Sequence, residues 1–474
     1  MNEQVVGMGG TGEAPDGVAA QGQRAGDLPQ PSALLQQGVN GGMPLPGPGG
    51  DAVLTVGRVV VCMICGSASW TSRGELAGPL SAATQGLFMR LPEFRVPVVL
   101  TLVSMLVLAA CSSSNSDTRP ADPGSSSATP GVVDRSIQAI LDKALPRGGS
   151  GTVIAARNGR VVHCAGYGMA DRAHHISANC ETVYDIMSMT KSFTAVAIMK
   201  LQMTGKLRVS DPISTYVGPV PADKRKITIH QLLTHTSGLP EGLGDDYDPI
   251  SRQEMIAGAA KSKLVAPPGT KFAYSNLGYS LLAAIIEIAA GTDYEHFLAK
   301  EILAPAGMTR TGYILPRWDT GRIAVEYNEK GLSQGRPLDH RWAADGPYWN
   351  LRGNGGLLST ANDMYRFHRA LAGDTLLDRD AKAKMFKAYA PIGLPGYDGY
   401  ATGYGWVITP DGALATHSGG NGWSYGVNVH GVHSDLMVFW ISNQAVQAGK
   451  WDLQDLAKRL TLTLVGQRGV GDPE

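Results

Sequence analysis

Five residues in this chain have types and spacings that can do chemistry: Ser188 and Lys191, Tyr274 and Asn276, and His417. Ser188-Met189-Thr190-Lys191 reads as a hydroxyl nucleophile with an amine one helical turn away, because residues three apart share a helix face. A serine hydroxyl needs a proton acceptor, an acid for the leaving group and donors for the oxyanion. A Lys ammonium taken out of water binds its proton less tightly, so a buried Lys191 moves toward a base-competent pKa. Tyr274-Ser275-Asn276 adds a phenol, expected to shuttle protons if its pKa falls beside Lys191. It also adds an amide for Lys191 or a substrate carbonyl. His417-Ser418-Gly419-Gly420 adds a strand edge where glycine permits close approach of a ligand to the backbone. Taken singly, each motif is commonplace. Ser-x-x-Lys is expected by chance about once in a chain this long; Tyr-x-Asn is usually a core tyrosine and a helix cap; His-Ser-Gly is usually a turn. Together, in this order, they point to a serine acyl-transfer enzyme.

The elements that must position them are legible around each motif. Phe193, Val196, Ala197, Met199 and Leu201 follow Ser188 and place apolar groups on nearly every side, which predicts a buried helix with Ser188 at its start. Its N-terminus lends partial positive charge to the nucleophile. Tyr274 lies between a turn over 267–270 and a second buried helix over 277–288. A first helix is expected near 133–145, then strands over 152–156 and 160–164 joined by Arg157-Asn158-Gly159, whose Asn-Gly pair favours a tight hairpin. Late strands are expected over 407–415, turning at Pro410-Asp411-Gly412, and over 425–432 and 436–442, before a closing helix over 451–465. Strands at both ends with helices between them imply an α+β fold whose antiparallel sheet is assembled from both termini.

Over its 474 residues the chain carries 41 basic and 41 acidic side chains, which gives no support to a nucleic-acid partner. Residues 1–88 are about one-fifth Gly and contain no Lys, too little apolar surface to offset the entropy of ordering. A short segment with Arg90 and Arg95 follows, then an apolar run over 96–110 that fits a signal peptide better than a bilayer span. Leu108-Ala109-Ala110-Cys111 closes it and resembles the lipobox of bacterial lipoproteins, in which the cysteine is lipidated. Residues 112–132 read as a Ser/Pro-rich tether and 133–470 as the functional domain. On this reading the start is Met89, residues 1–88 are an over-extended frame, and the protein is exported and held on the outer face of the cell membrane through Cys111. Cys62 and Cys65 lack a second pair and give no metal site. Cys164 and Cys180 are either a disulfide or two buried thiols. No His-Glu-x-x-His pattern or Gly-rich phosphate loop calls for a metal or cofactor.

Over residues 133–470 the sequence resembles the serine β-lactamase and penicillin-recognising family. The branch it looks most like contains class C β-lactamases, D-alanyl-D-alanine carboxypeptidases and class VIII esterases. Beside the three motifs, Leu207-Arg208-Val209-Ser210-Asp211-Pro212, Thr234-His235-Thr236-Ser237-Gly238-Leu239-Pro240 and the run from Gly355 to Met364 look like family segments with structural roles. The second of these ends a helix that a Thr228/Gln231 capping box begins. The resemblance implies an antiparallel sheet flanked by helices, an all-helical lobe, and a site between them. It assigns Ser188 as the acylated serine, Lys191 as its activator, Tyr274 as proton shuttle and Asn276 as the orienting amide. The Ser188 and Gly420 N–H groups would form the oxyanion hole, and which of Lys191 and Tyr274 takes the proton stays open. Many members carry Lys-Thr-Gly where this chain has His417-Ser418-Gly419, and a histidine is only partly charged at neutral pH. That departure favours an ester or D-amino-acid amide hydrolase over a dedicated β-lactamase. The alternatives are a non-catalytic envelope protein that binds peptidoglycan or penicillin, and a weak β-lactamase. The expected partner is a small molecule or peptidoglycan peptide.

Overall fold

The computed structural model describes residues 132–145, 149–444 and 459–463. The expected lipobox at Cys111, the Cys62/Cys65 pair and most of the closing helix lie outside the described residues; 459–463 are helical.

Strands β1 (Gly151–Arg157) and β2 (Arg160–Tyr167) form the expected hairpin. Asn158 and Gly159 at its tip have φ of 51° and 70°, the left-handed pair that a two-residue hairpin requires. Six further strands complete one antiparallel sheet: β3 (Ala390–Pro391), β4 (Ala401–Thr402), β5 (Val407–Ile408), β6 (Leu414–Gly420), β7 (Tyr425–Gly431) and β8 (Met437–Ser442). The spatial order is β2-β1-β8-β7-β6-β5-β4-β3, so β1 from the start of the domain pairs with β8 from its end.

Alternate residues of these strands serve two layers, as a pleated strand must. Val153 and Ala155 of β1, with Val438 and Trp440 of β8, face helix α1 (Arg135–Ala144) through its Ile137 and Leu141. Ile154, Ala156, Met437, Phe439 and Ile441 face the opposite way into the main core. That core joins the sheet to a helical lobe that includes α2 (Thr190–Met203), α3 (Ile229–Leu233) and α4 (Asn276–Ala290), and to α5 (Ala361–Ala372). Every residue from Thr190 to Met199 of α2 is buried, which accounts for the lack of a polar face in its sequence. The capping box at Thr228 and Gln231 starts α3 as expected. Cys164 on β2 is bonded to Cys180, with Cα atoms 6.1 Å apart, which resolves the two readings of that pair.

Candidate active site

Ser188 sits on a short turn that the structure clamps from several directions. Ile186 donates its N–H to Leu357 O at 2.9 Å, and Met187 donates to Asp185 Oδ1 at 2.6 Å. Met187 has φ of 49°, a conformation costing about 1–3 kcal/mol that persists only where neighbours enforce it. Residues Met187–Met189 form a 3₁₀ turn and α2 begins at Thr190. Ser188 therefore stands two residues before the α-helix expected to begin with it.

Lys191 is fully buried, and its Nζ has three neighbours: Ser188 Oγ at 3.0 Å, Asn276 Oδ1 at 2.7 Å and Asn354 O at 2.8 Å. No ion pair to Lys191 occurs among the described residues. Burial lowers its pKa from 10.5 to about 7, with the Asp246 and Glu241 carboxylates pulling weakly the other way. A neutral amine has two N–H groups and one lone pair. The Asn276 and Asn354 oxygens can only accept, so they take the two N–H groups. The lone pair is left facing the Ser188 hydroxyl.

Tyr274 donates its O–H to Ser188 Oγ at 3.0 Å. The fall in its pKa beside Lys191, on which the sequence reading made proton shuttling conditional, does not occur. Burial pushes it well above the ordinary tyrosine value, and the bond to Ser188 offsets only part of that. The phenol thus stays protonated at neutral pH and acts as a donor. Ser275 is the N-cap of α4, accepting the Gly278 N–H at 3.0 Å. That leaves Asn276, the first residue of the helix, free to turn its amide to Lys191 instead of capping.

His235 holds this segment in place. Its ring stacks on Tyr274 with centroids 4.5 Å apart, its Nδ1 accepts the Ser275 N–H at 3.1 Å, and its carbonyl accepts the Ala273 N–H at 2.8 Å. It does so from a backbone φ of 54°, and burial keeps the ring neutral. Sequence reading gave the 234–240 segment a structural role and missed this one. The signal was present only as a histidine among hydroxyl residues, in Thr234-His235-Thr236-Ser237-Gly238. Asn354 was also missed, because its contribution to Lys191 is a carbonyl, which every residue possesses.

Strand β6 forms the opposite wall. A side chain on Gly419 would put its Cβ 2.8 Å from both Met187 Cβ and Ser188 N, so only glycine lets the strand lie against the nucleophile turn. His417 lies two residues earlier on the same face. Its Nδ1 is 2.8 Å from Ser418 O, which can only accept, so Nδ1 carries the proton and Nε2 the lone pair. Burial and the nearby Lys191 lower its pKa to about 3. The sequence expectation of a partly charged histidine is thereby corrected: His417 is neutral. The β5–β6 ladder stops at Thr416, so among the described residues His417, Ser418, Gly419 and Gly420 have no strand neighbour on that side. Ser188, Lys191, Tyr274 and Asn276 are thus joined by direct hydrogen bonds. His417 and Gly419 are brought to them by strand position, with Ser418 and Gly420 alongside.

A family model described as Beta-lactamase matches residues 133–463. The chain belongs to the beta-lactamase family. This family's members are serine hydrolases, and its fold is the mixed α/antiparallel-β arrangement seen here. The putative penicillin-binding protein PbpX of Bacillus subtilis (strain 168) is 34% identical over 255 residues, covering 54% of this chain and 63% of that protein. This chain thus spans less than two thirds of that curated relative. The octameric penicillin-binding protein homologue from Pyrococcus abyssi superposes with a TM-score of 0.60 at 28% identity, covering 70% of this chain and 76% of that one. The D-amino acid amidase from Ochrobactrum anthropi SV3 shares the fold, with a TM-score of 0.60 at 24% identity over 70% of this chain and 98% of its own. Among the described residues, no helix is long and apolar enough to cross a membrane.

Proposed function

We propose that the protein is a serine hydrolase that works through an acyl-enzyme on Ser188, on ester or D-amino-acid amide substrates. The observation that carries this reading is the neighbourhood of Lys191 Nζ: two neutral acceptors and the nucleophile, with no carboxylate to hold its proton. The lone pair of neutral Lys191 takes the Ser188 proton as Oγ attacks the substrate carbonyl carbon. The oxyanion forms beside the Ser188 and Gly420 N–H groups. The bond to the leaving group then breaks, and that group departs protonated, with Tyr274 supplying the proton at its position and regaining one from Lys191. Water repeats the sequence on the acyl-enzyme and releases the acid. The pKa that burial raises at the Tyr274 phenol supports Lys191 over Tyr274 as the base of acylation.

The neutral His417 supports esters and amides over substrates that must be held by a carboxylate, which bears against a dedicated β-lactamase. The test is intact-mass detection of an adduct across a panel of β-lactams, p-nitrophenyl esters and D-alanyl peptides, with Ser188→Ala as control. Acylation by esters or D-amino-acid amides ahead of β-lactams is the expected result. No adduct and no turnover with any member refutes the reading in favour of a non-catalytic binding protein. We further propose export and lipid anchoring at Cys111, supported by the apolar run and lipobox-like sequence. Loss of metabolic fatty-acid labelling in Cys111→Ala is the expected result, and unchanged labelling refutes it.

A further inference from the structure

Strand β6 ends at Gly420, which pairs with Tyr425, and a turn over 421–424 carries the chain into β7. Among the described residues the strand has no β5 partner past Thr416. The position of the Gly420 N–H therefore depends on β7, on the close approach of Gly419 to Ser188, and on the turn that follows. That turn is built around Asn421. Its Oδ1 accepts the N–H groups of Trp423 at 3.1 Å and Ser424 at 2.8 Å, and Gly422 between them has φ of 86°. The Asn421 amide nitrogen and the Ser424 hydroxyl then both donate to one atom, Glu326 Oε1, at 2.7 Å each.

Glu326 is buried, at 2% exposure, and its backbone is fixed on both sides. Val325 donates its N–H to Ala170 O at 2.8 Å, Glu326 to Gly335 O at 2.9 Å and Tyr327 to Asn443 O at 2.9 Å, next to the end of β8. A ring stack grips the same turn through its third residue: Trp423 lies on His340 at 4.9 Å, and Tyr247 lies on His340 at 4.4 Å. Glu326 Oε2 faces His340 Nε2 at 3.5 Å, and neither atom has a hydrogen bond among the described residues. Burying a carboxylate is costly to a fold. The hydrogen bonds that the Glu326 side chain makes among the described residues all go to the turn beside Gly420.

We propose that Glu326 is a positioning residue for the oxyanion site, acting through Asn421 and Ser424 to hold the Gly420 N–H beside the Ser188 turn. The inference rests on the acyl-enzyme reading and adds to it a residue outside all three motifs. An N–H stabilises an oxyanion only when it is already aimed at the place where that charge develops. A turn with a left-handed glycine and one unpaired strand edge is free to drift. Two hydrogen bonds to one carboxylate oxygen, each stronger than a bond between neutral groups, remove that freedom at the first and last residues of the turn. Glu326 does this from behind the turn, so its effect falls on the transition state and not on the binding of substrate.

The experiment compares Glu326→Ala and Glu326→Gln with the unmodified protein, using a p-nitrophenyl ester and phenylboronic acid, whose tetrahedral adduct on Ser188 places an oxygen at the oxyanion position. In Glu326→Ala, kcat and kcat/KM should fall together by about 10–10²-fold with KM unchanged, and the boronate should bind more weakly by a comparable factor. Glu326→Gln keeps an acceptor oxygen for both donors and should recover most of each loss. A smaller fraction of folded enzyme would lower kcat but leave the boronate dissociation constant where it was, so that constant is the deciding readout. Should Glu326→Ala fail to fold, Ser424→Ala removes one of the two donors and should weaken the boronate by a smaller factor. A boronate dissociation constant within about twofold of the unmodified protein's in the variant that folds overturns the inference and leaves the acyl-enzyme reading standing. A loss in Glu326→Gln as deep as in Glu326→Ala also overturns it. Only the absence of any adduct on Ser188 in the unmodified protein removes both.

Discussion

Replacing Lys191 with Met removes a group that the fold holds in its less favoured protonation state, and the consequence should be visible in stability as well as in rate. The unfolded chain keeps Lys191 charged up to its ordinary pKa of 10.5, whereas the fold lets it lose the proton above about 7. Between those values the unfolded state binds more protons, so this group's contribution to stability rises with pH. Below 7 the full cost of burying the ammonium is present, about 5 kcal/mol for a shift of this size, and it is recovered by pH 10.5. Lys191→Met loses this dependence. The stability of the unmodified protein minus that of the variant should therefore be flat below pH 7 and then climb by about 1.4 kcal/mol per pH unit. Lost hydrogen bonds to Asn276 and Asn354 shift this difference by a constant and leave its slope untouched. Urea unfolding of both proteins at pH 6, 7, 8 and 9 measures it. A difference that stays constant from pH 7 to 9 would refute the argument, because Lys191 would then be charged in the folded protein and unable to serve as a base.

The same pKa predicts that kcat/KM rises with pH through about 7, and that Lys191→Arg, permanently charged, loses roughly 10³-fold or more in acylation rate at every pH. Tyr274→Phe keeps the stack on His235 and removes only the donor to Ser188, so kcat should fall by about 10²–10⁴ while thermal stability changes little; an unchanged kcat would exclude the phenol from proton transfer. Gly419→Ala should abolish acylation and cost about 1–3 kcal/mol in unfolding measurements, since the new methyl meets Ser188 N at 2.8 Å. Paired Cys164→Ser and Cys180→Ser should lower stability by about 3 kcal/mol, as expected for opening a loop with a sequence separation of 16.

What the sequence revealed and what it hid divide along physical lines. The hairpin at Asn158-Gly159, the buried α2 and the box at Thr228 and Gln231 are local patterns with local causes; the hairpin and the box formed where expected, and α2 began two residues after Ser188. Ser188, Lys191, Tyr274 and Asn276 were visible because side-chain type is their contribution. The pairing of β1 with β8 was suggested only by strands lying at both ends of the domain, and its register lies beyond a pattern of alternation. The protonation state was misjudged at His417 and left conditional at Tyr274 for one reason. The field of a neighbour was visible in the motif, but the depth of burial, which dominates both shifts, was not. His235 escaped notice because its role depends on stacking against a residue 39 positions later, reached through the fold.

The charge states of the site explain how an uncharged histidine is accommodated at position 417. A second ammonium at position 417 would add its field to the desolvation already acting on Lys191 and push that amine further toward neutrality. Here Lys191 reaches about 7 largely by burial, with Asp246 and Glu241 opposing the shift and His417 contributing no positive charge. The base is therefore poised near neutral pH without a cationic neighbour, and the anion-binding function that such a neighbour would also supply is given up. The third motif in this chain is thus coupled to the first: an uncharged acceptor at His417 and a base tuned by burial at Lys191 form a self-consistent pair. A substrate read by a carboxylate would require that balance to be rebuilt at several residues together, not at position 417 alone.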